Sequence, residues 1–281
     1  MFKVNSKDYA VLTSIPHSGL KIPLEAYWLK KLSYQTLMCD VDLFVDDLYD
    51  PTLKKYNIPF IVFDWHRYAV DANRFPYNIS SKTVKKAQEL LETFYQIKKR
   101  NFKNNLSDIH WYQTTLNEIL IQKPISQKTH QILMSKYFDS YHKKLKKLIS
   151  KQKKKFVYLL DLHSMPSKAT SFHKDKGQLR VDVVIGDNEG KSCSPFFRDL
   201  ILKAYQEAGF KTSLNFPYKG GAITQSYAQV SKGQEVVQIE LNRKLYMDEM
   251  SKEKNKDYKK IQLQLEMALS YMISGLEKRK N

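Results

Sequence analysis

The stretch Phe156–Ser164, which reads FVYLLDLHS, joins an almost continuous apolar run to a polar end. A short apolar run without polar alternation is typical of a strand covered on both faces, as in parallel sheets. The polar end is informative because the functional groups of open α/β sheets collect beyond the carboxyl ends of the strands. The stretch therefore predicts a buried strand over Phe156–Leu162 that brings His163 to a functional site.

Similar apolar runs alternate with helical patterns along the rest of the chain. The other predicted strands are Tyr9–Ile15, Ile58–Phe63, Val181–Ile185 and Glu235–Leu241. The predicted helices are Tyr34–Tyr49, Lys82–Asn104, Gln127–Lys151, Pro195–Glu207 and Asn255–Lys278. Such alternation predicts an α/β sheet with helices on both faces. We expect one domain over residues 1–281, with a helical excursion from the core around residues 75–125.

The composition suits a globular protein with a basic surface. The 281 residues include 47 Lys and Arg against 29 Asp and Glu, a formal charge of +18. Such a charge attracts nucleic acid or small anionic substrates. Lysine outnumbers arginine and aromatic stacking motifs are absent, so we favour a solvated surface over a nucleic-acid partner.

The cysteines and the apolar runs predict the cellular location of the protein. Cys39 and Cys193 show no disulfide or metal-binding spacing and are expected to be reduced thiols. No apolar run reaches the roughly 20 residues that a membrane span needs. We expect a cytoplasmic protein without a membrane partner.

Two histidines stand just after predicted strands: His17, in a Pro-His-Ser-Gly turn, and His163. Neutral imidazole is the commonest metal ligand, and a catalytic zinc site needs three protein ligands and an open position. A carboxylate from the stretch Asp40–Asp47 would supply the third ligand. If that stretch is helical, Asp42 and Asp46 share one helix face. The alternatives are two hydrogen-bonded histidines without a metal and an acidic first turn favoured by the helix dipole.

Glu240 lies inside the apolar strand Glu235–Leu241, where an acid is costly unless it is paired or functional. Burial raises the pKa of a carboxyl group, which suits a general base that acts on water. The alternative is an edge strand that turns Gln238, Glu240 and Asn242 to solvent.

Two segments contain arginines that suit a substrate with carboxylate groups: His66-Arg67 and Asp71–Arg74. A guanidinium binds a carboxylate through two parallel hydrogen bonds, and Asn73 adds a further donor. Surface charge is the alternative explanation for these arginines. Gly220-Gly221 predicts a turn whose bare backbone approaches a substrate, although a plain hairpin turn explains it equally well.

Six ordered motifs between about residues 10 and 250 resemble the N-formylglutamate amidohydrolase family. They are Pro16–Gly19 with Ile22-Pro23, Asp40–Tyr49, His66–Tyr68 with Val70–Arg74, Asp161–Ser164, Ile185–Asp187, and Tyr218–Gly221 with Tyr227 and Gln238–Glu249. The resemblance implies a mixed central β-sheet flanked by helices, similar to zinc carboxypeptidases and the phosphorylase/hydrolase-like folds.

The resemblance also implies a metal centre and a catalytic base. It implies Zn²⁺ bound by His17, Asp42 and His163, with Asp46 as the alternate carboxylate. It implies that Glu240 acts as the general base.

The remaining residues that the resemblance implies would contact the substrate. Arg67 is expected to stabilise the oxyanion. Asn73 and Arg74 are expected to bind a substrate carboxylate. Gly221 and Asn242 complete the expected substrate-binding set.

The expected reaction is zinc-dependent hydrolysis of N-formyl-L-glutamate, a small anionic acyl amino acid, to formate and L-glutamate. Ala72 stands where the family pattern has leucine, and Phe75–Pro124 lacks the proline- and glycine-rich loop of the family. These differences leave two alternatives: the same zinc hydrolase acting on another N-acyl amino acid or small peptide, or an inactive basic protein that binds nucleic acid.

Overall fold

The computed structural model describes residues 8–97 and 108–278 of the chain. Its strands are β1 Tyr9–Ile15, β2 Phe60–Val62, β3 Phe156–Met165, β4 Val183–Gly186, β5 Thr212–Leu214 and β6 Gln234–Asn242. Its α-helices are α1 Tyr34–Met38, α2 Val45–Lys55, α3 Ala87–Tyr95, α4 Gln127–Leu133, α5 Asp139–Ser150, α6 Pro195–Glu207, α7 Ala222–Tyr227 and α8 Tyr258–Glu277. Among these residues, no helix combines the length and the apolar character that a membrane span requires.

The strands form one six-stranded sheet in the order β2-β1-β3-β6-β4-β5. Neighbouring strands are parallel except β4 and β6, which pair antiparallel. Strands β1 and β4 are buried along their whole length, as expected for nearly continuous apolar runs. The predicted mixed central sheet flanked by helices is confirmed.

Packing divides the chain into two compact units. The first comprises residues 1–15, 42–62 and 145–281 and contains the whole sheet. In this unit α8 packs against α2 and α6, while α2 contacts β3 and α6 contacts β4 and β5. Helix α8 buries Ile261, Leu265, Ala268 and Met272 at helical spacing, which gives it one apolar face toward these neighbours.

The second unit comprises residues 16–41 and 63–144. It contains α1, α3 and α4 and has a core of its own. That core consists of Ala26, Leu29, Tyr68, Ala69, Trp111 and Leu120. The expectation of one domain with an excursion around residues 75–125 stays a prediction.

The predicted helix Tyr34–Tyr49 is wrong in its middle. Helix α1 ends at Met38 and α2 begins at Val45, and Phe44 between them has a φ of 65°. A left-handed residue cannot continue a right-handed helix, so the chain changes direction there. Asp42 therefore lies in the connecting loop and does not share a helix face with Asp46.

Two other helix predictions differ in length, and one strand was missed. The predicted helix Lys82–Asn104 is observed only as α3, which begins at Ala87 and ends at Tyr95; the predicted end at Asn104 lies outside the described residues. The predicted helix Gln127–Lys151 consists of α4, a π-helical turn at Met134–Phe138, and α5. Strand β5 has three residues, two of them polar, too short a segment for an apolar pattern.

Leu160 provides a test of the central position of β3. Its side chain is 0% exposed, and its strand pairs with β1 and β6. Leu160→Ala leaves a cavity that the packed sheet cannot close, so we expect the free energy of unfolding to fall by about 2–5 kcal/mol. The control Leu179→Ala changes a side chain that is 76% exposed and should cost no more than about 0.5 kcal/mol. Urea denaturation followed by circular dichroism measures both, and equal small losses would contradict the buried position.

Candidate functional site

Polar side chains occupy one face of the sheet near the carboxyl ends of β3 and β6. The register of these two strands pairs Asp161 with Gln238 and His163 with Glu240. Paired residues on neighbouring strands project from the same face, about 5 Å apart. All four side chains are buried. The sheet thus places a carboxylate beside an imidazole in its interior.

Glu240 lies on an interior strand, because β6 runs between β3 and β4. It is 6% exposed, and the Gln238 Nε2 donates a hydrogen bond of 2.7 Å to its Oε1. Asn242 is fully buried as well. The alternative of an edge strand that turns these residues to solvent is therefore wrong.

His163 lies between two carboxylates. Its Nδ1 is 3.0 Å from the Asp42 Oδ2, and its Nε2 is 3.1 Å from the Asp161 Oδ2. The Ser14 hydroxyl donates a 2.9 Å hydrogen bond to the other oxygen of Asp161. Burial alone lowers the pKa of His163, but the carboxylates of Asp161 and Asp42 outweigh it and hold this pKa well above its usual value. The surroundings of the ring therefore favour positive charge, whether from a proton or from a metal ion.

Asp42 is oriented by an arginine from the end of β6. The Arg243 Nη2 donates a 3.0 Å hydrogen bond to the Asp42 Oδ1, and the Arg243 Nε donates one of 3.0 Å to the Ser164 hydroxyl. The Asp42 Oδ2 is the oxygen that faces His163. One carboxylate oxygen of Asp42 is thus fixed by Arg243 while the other points at the imidazole.

His17 follows the last residue of β1 by two positions, and its Nε2 is 2.6 Å from the Asp71 Oδ1. The other oxygen of Asp71 accepts hydrogen bonds from the Trp111 Nε1 at 2.9 Å and the Arg67 Nη2 at 3.3 Å. Burial alone raises the pKa of Asp71, but His17, Arg67 and Arg74 outweigh it and hold this pKa well below its usual value. Asp71 is therefore a carboxylate that orients the His17 ring.

His17, Asp42 and His163 each offer one ligand atom, and these atoms lie within 4.8 Å of one another. Two imidazoles and one carboxylate match the three protein ligands of a catalytic zinc site. Both histidines contact a carboxylate through Nε2, Asp71 for one and Asp161 for the other, which leaves Nδ1 as the ring atom that can bind a metal ion. These residues fit a divalent metal ion.

Asp71 also organises the predicted substrate arginines. The Arg67 Nη1 donates a 2.8 Å hydrogen bond to the Asp40 carbonyl, and its guanidinium lies 4.6 Å from the Trp111 ring centroid. The backbone N–H of Asn73 donates to the Asp71 Oδ1 at 2.8 Å, and the Arg74 Nε is 3.7 Å from the Asp71 Oδ2. The roles of Arg67, Asn73 and Arg74 toward a substrate stay predictions.

The polar groups of the other two predicted substrate residues already have protein partners. The Gly221 amide donates a 2.7 Å hydrogen bond to the Gln238 Oε1. Gly221 is followed by helix α7, so the hairpin alternative is wrong. The Asn242 Nδ2 donates to the carbonyls of Arg180 and Val181, both at 3.0 Å. A direct substrate contact of Gly221 or Asn242 stays a prediction.

Three residues of the candidate site were not predicted from the sequence: Asp71, Asp161 and Arg243. Asp161 stands two residues before His163 on one strand, so the two-residue period of a strand places both on one face and could have identified it. Asp71 and Arg243 contact partners 54 and 201 positions away along the chain. No local pattern predicts such pairs.

Comparison with known sequences identifies relatives of this chain. The family model of N-formylglutamate amidohydrolase matches residues 9–247. The N-formylglutamate deformylase of Pseudomonas aeruginosa is 32% identical over 121 residues, 42% of this chain and 44% of the relative. That of Pseudomonas putida is 34% identical over 112 residues, 39% of this chain and 41% of the relative. The match spans less than half the length of each of these curated relatives.

Solved structures share the fold. The crystal structure of N-formylglutamate amidohydrolase from Ralstonia eutropha has a TM-score of 0.79 at 22% identity and covers 98% of this chain and 95% of its own. A gene product of Agrobacterium tumefaciens has a TM-score of 0.64 at 17% identity, with 95% and 92% covered. The family model reaches from β1 to beyond β6 and so includes every candidate metal ligand as well as Glu240. The chain belongs to the N-formylglutamate amidohydrolase family.

Proposed function

We propose that this protein is a zinc-dependent amidohydrolase that hydrolyses N-formyl-L-glutamate to formate and L-glutamate. The observation that carries the proposal is the group of His17, Asp42 and His163, whose ligand atoms lie within 4.8 Å of one another. Membership of the family supports the class of reaction. The net charge of +18 suits an anionic substrate, because a basic surface raises its local concentration.

Outer contacts hold the candidate ligand residues in place. Zinc bound by them would polarise the formyl carbonyl and lower the pKa of a bound water. Asp161 fixes the ring of His163, and Arg243 holds the Oδ1 of Asp42. Such outer contacts set the orientation and the basicity of metal ligands.

Glu240 is proposed to be the general base. It pairs with His163 in the strand register, and the hydrogen bond from Gln238 fixes its carboxylate. Glu240 accepts a proton from the attacking water as the water oxygen bonds to the formyl carbon. It then returns this proton to the leaving nitrogen as the C–N bond breaks, which releases the free amino group of L-glutamate and formic acid, and the acid ionises to formate.

The remaining roles concern the substrate. We assign Arg67 to the developing oxyanion and Asn73 with Arg74 to a substrate carboxylate, because donors on a segment held by a buried carboxylate are preorganised. Gly221 and Asn242 complete the proposed substrate-binding set; the Gly221 amide also donates to Gln238, and the Asn242 side chain also donates to the Arg180 carbonyl.

The proposal is tested by formate release from N-formyl-L-glutamate together with the metal content of the purified protein. We expect about one zinc per chain, loss of activity on chelation and recovery on adding zinc. Full activity after exhaustive chelation would contradict the metal-dependent reaction. Equal rates with N-formyl-L-leucine would favour another N-acyl amino acid as the substrate.

A further inference from the structure

A second polar cluster lies on the same face of β6 as Glu240 and takes no part in the metal group. We propose that Arg180 and Tyr218 form a subsite that binds the side-chain carboxylate of an N-acyl dicarboxylic amino acid. This inference rests on the proposed function and names the feature of the substrate that the site selects.

Contacts with β6 bring both residues to this face. Gln238, Glu240 and Asn242 alternate along β6, so their side chains project from one face. The Asn242 Nδ2 donates a 3.0 Å hydrogen bond to the Arg180 carbonyl. The Gly221 amide donates a 2.7 Å hydrogen bond to the Gln238 Oε1. The segment that leads into β4 and the segment that leads into α7 are therefore attached to β6 on either side of Glu240.

Arg180 and Tyr218 contact each other. Tyr218 precedes Gly221 by three residues, and the Arg180 guanidinium carbon lies 5.0 Å from the centroid of the Tyr218 ring. Arg180 is 6% exposed. Burial raises the pKa of Tyr218, and the nearby charge of Glu240 raises it further. Tyr218 therefore keeps its proton at neutral pH and is available as a hydrogen-bond donor.

Arg180 is fixed in place but retains donors. Its Nε donates to the Asp175 Oδ2 at 2.8 Å, its Nη2 donates to the Asp175 Oδ1 at 3.1 Å, and its Nη1 donates to the Pro166 carbonyl at 3.2 Å. A guanidinium has five N–H groups, and three of them make these hydrogen bonds. Among residues 8–97 and 108–278 the other two have no partner, so they can bind a ligand. Within the same residues the Tyr218 hydroxyl has no hydrogen-bond partner. Rigid, convergent donors of this kind bind a carboxylate.

The charge of the cluster favours a monoanion. Asp175 neutralises Arg180 through a bidentate pair, and both side chains are 2% exposed. The subsite thus offers hydrogen bonds with little net positive charge, which suits one carboxylate better than a phosphate dianion. N-formylglutamate carries two carboxylates, and the proposed function assigns one of them to Asn73 and Arg74. Arg180 and Tyr218 are proposed to bind the other.

The test compares the binding of L-glutamate and L-glutamine to the purified protein by isothermal titration calorimetry. These two ligands differ in the charge of the side chain and hardly in shape. The double variant Asp175→Asn with Arg180→Gln removes the ion pair without leaving a buried charge unpaired. Tyr218→Phe removes only the hydroxyl. The control Arg198→Gln changes a partly exposed arginine of α6 that pairs with Asp199.

We expect the unchanged protein and the control to bind L-glutamate more tightly than L-glutamine. The double variant should reduce this preference by about 10- to 100-fold, the range for hydrogen bonds to a charged group. Tyr218→Phe should reduce it by about 3- to 10-fold, and it decides the question if the double variant does not fold. A preference that persists in Tyr218→Phe and in a folded double variant would overturn the subsite, as would an unchanged protein that binds both ligands equally.

These outcomes are separable from the proposed function. If the protein releases no formate but prefers L-glutamate, and this preference depends on Arg180, the subsite is supported and the proposed reaction is contradicted. Formate release without a preference for L-glutamate would support the reaction and contradict the subsite.

Discussion

Replacement of His163 by alanine is expected to abolish zinc binding and to lower formate release by about 1000-fold or more. His163 offers one of the three ligand atoms of the candidate metal group, and its Nε2 is the atom that contacts Asp161. Loss of one outer partner of a metal ligand costs about 10- to 100-fold in affinity, and loss of the ligand itself costs more. Zinc content after dialysis and the rate of formate release measure the effect.

A graded variant separates the loss of the ligand from the loss of its orientation. Asp161→Asn keeps the shape of the side chain but removes the carboxylate that contacts the His163 Nε2. We expect zinc affinity to fall by about 10- to 100-fold, with the fold retained by circular dichroism. Stoichiometric zinc and full activity in His163→Ala would exclude this histidine from the metal group.

The central strands were predictable because their apolar runs are long and clearly bounded. Tyr9–Ile15 and the start of β3 at Phe156 match the structure, since burial on both faces of a sheet requires such runs. The break between α1 and α2 was not predictable. Phe44 adopts a left-handed φ, which is uncommon for a bulky residue, and no glycine or proline marks the turn in the sequence.

The site could be predicted only where its residues stand next to regular elements. His17 and His163 follow strands, and Glu240 interrupts an apolar one, so local pattern and burial identify them. The resemblance to the family, rather than local geometry, selected Asp42. The carboxylate that orients His17 and the arginine that orients Asp42 come from distant segments, and only the folded chain reveals them.

Glu240→Gln is expected to lower kcat by about 100- to 10,000-fold, the usual contribution of a general base. The amide has nearly the same size as the carboxylate but cannot accept the proton of the attacking water. Its carbonyl oxygen can still accept the hydrogen bond from Gln238, which now reaches the Glu240 Oε1 at 2.7 Å. The hydrogen bond from Gln238 is therefore kept, so we expect stability and zinc content to change little.

Glu235 provides the matched control on the same strand. It is buried like Glu240, but its Oε2 accepts hydrogen bonds from the amide and the hydroxyl of Ser194 at 2.8 and 2.7 Å. An odd separation along β6 places it on the opposite face of the sheet. Glu235→Gln should therefore keep kcat while it lowers stability slightly. Because a base acts in the chemical step, Glu240→Gln should reduce kcat with KM little changed; similar losses of kcat in both variants would mean that Glu240 supports the fold rather than the proton transfer.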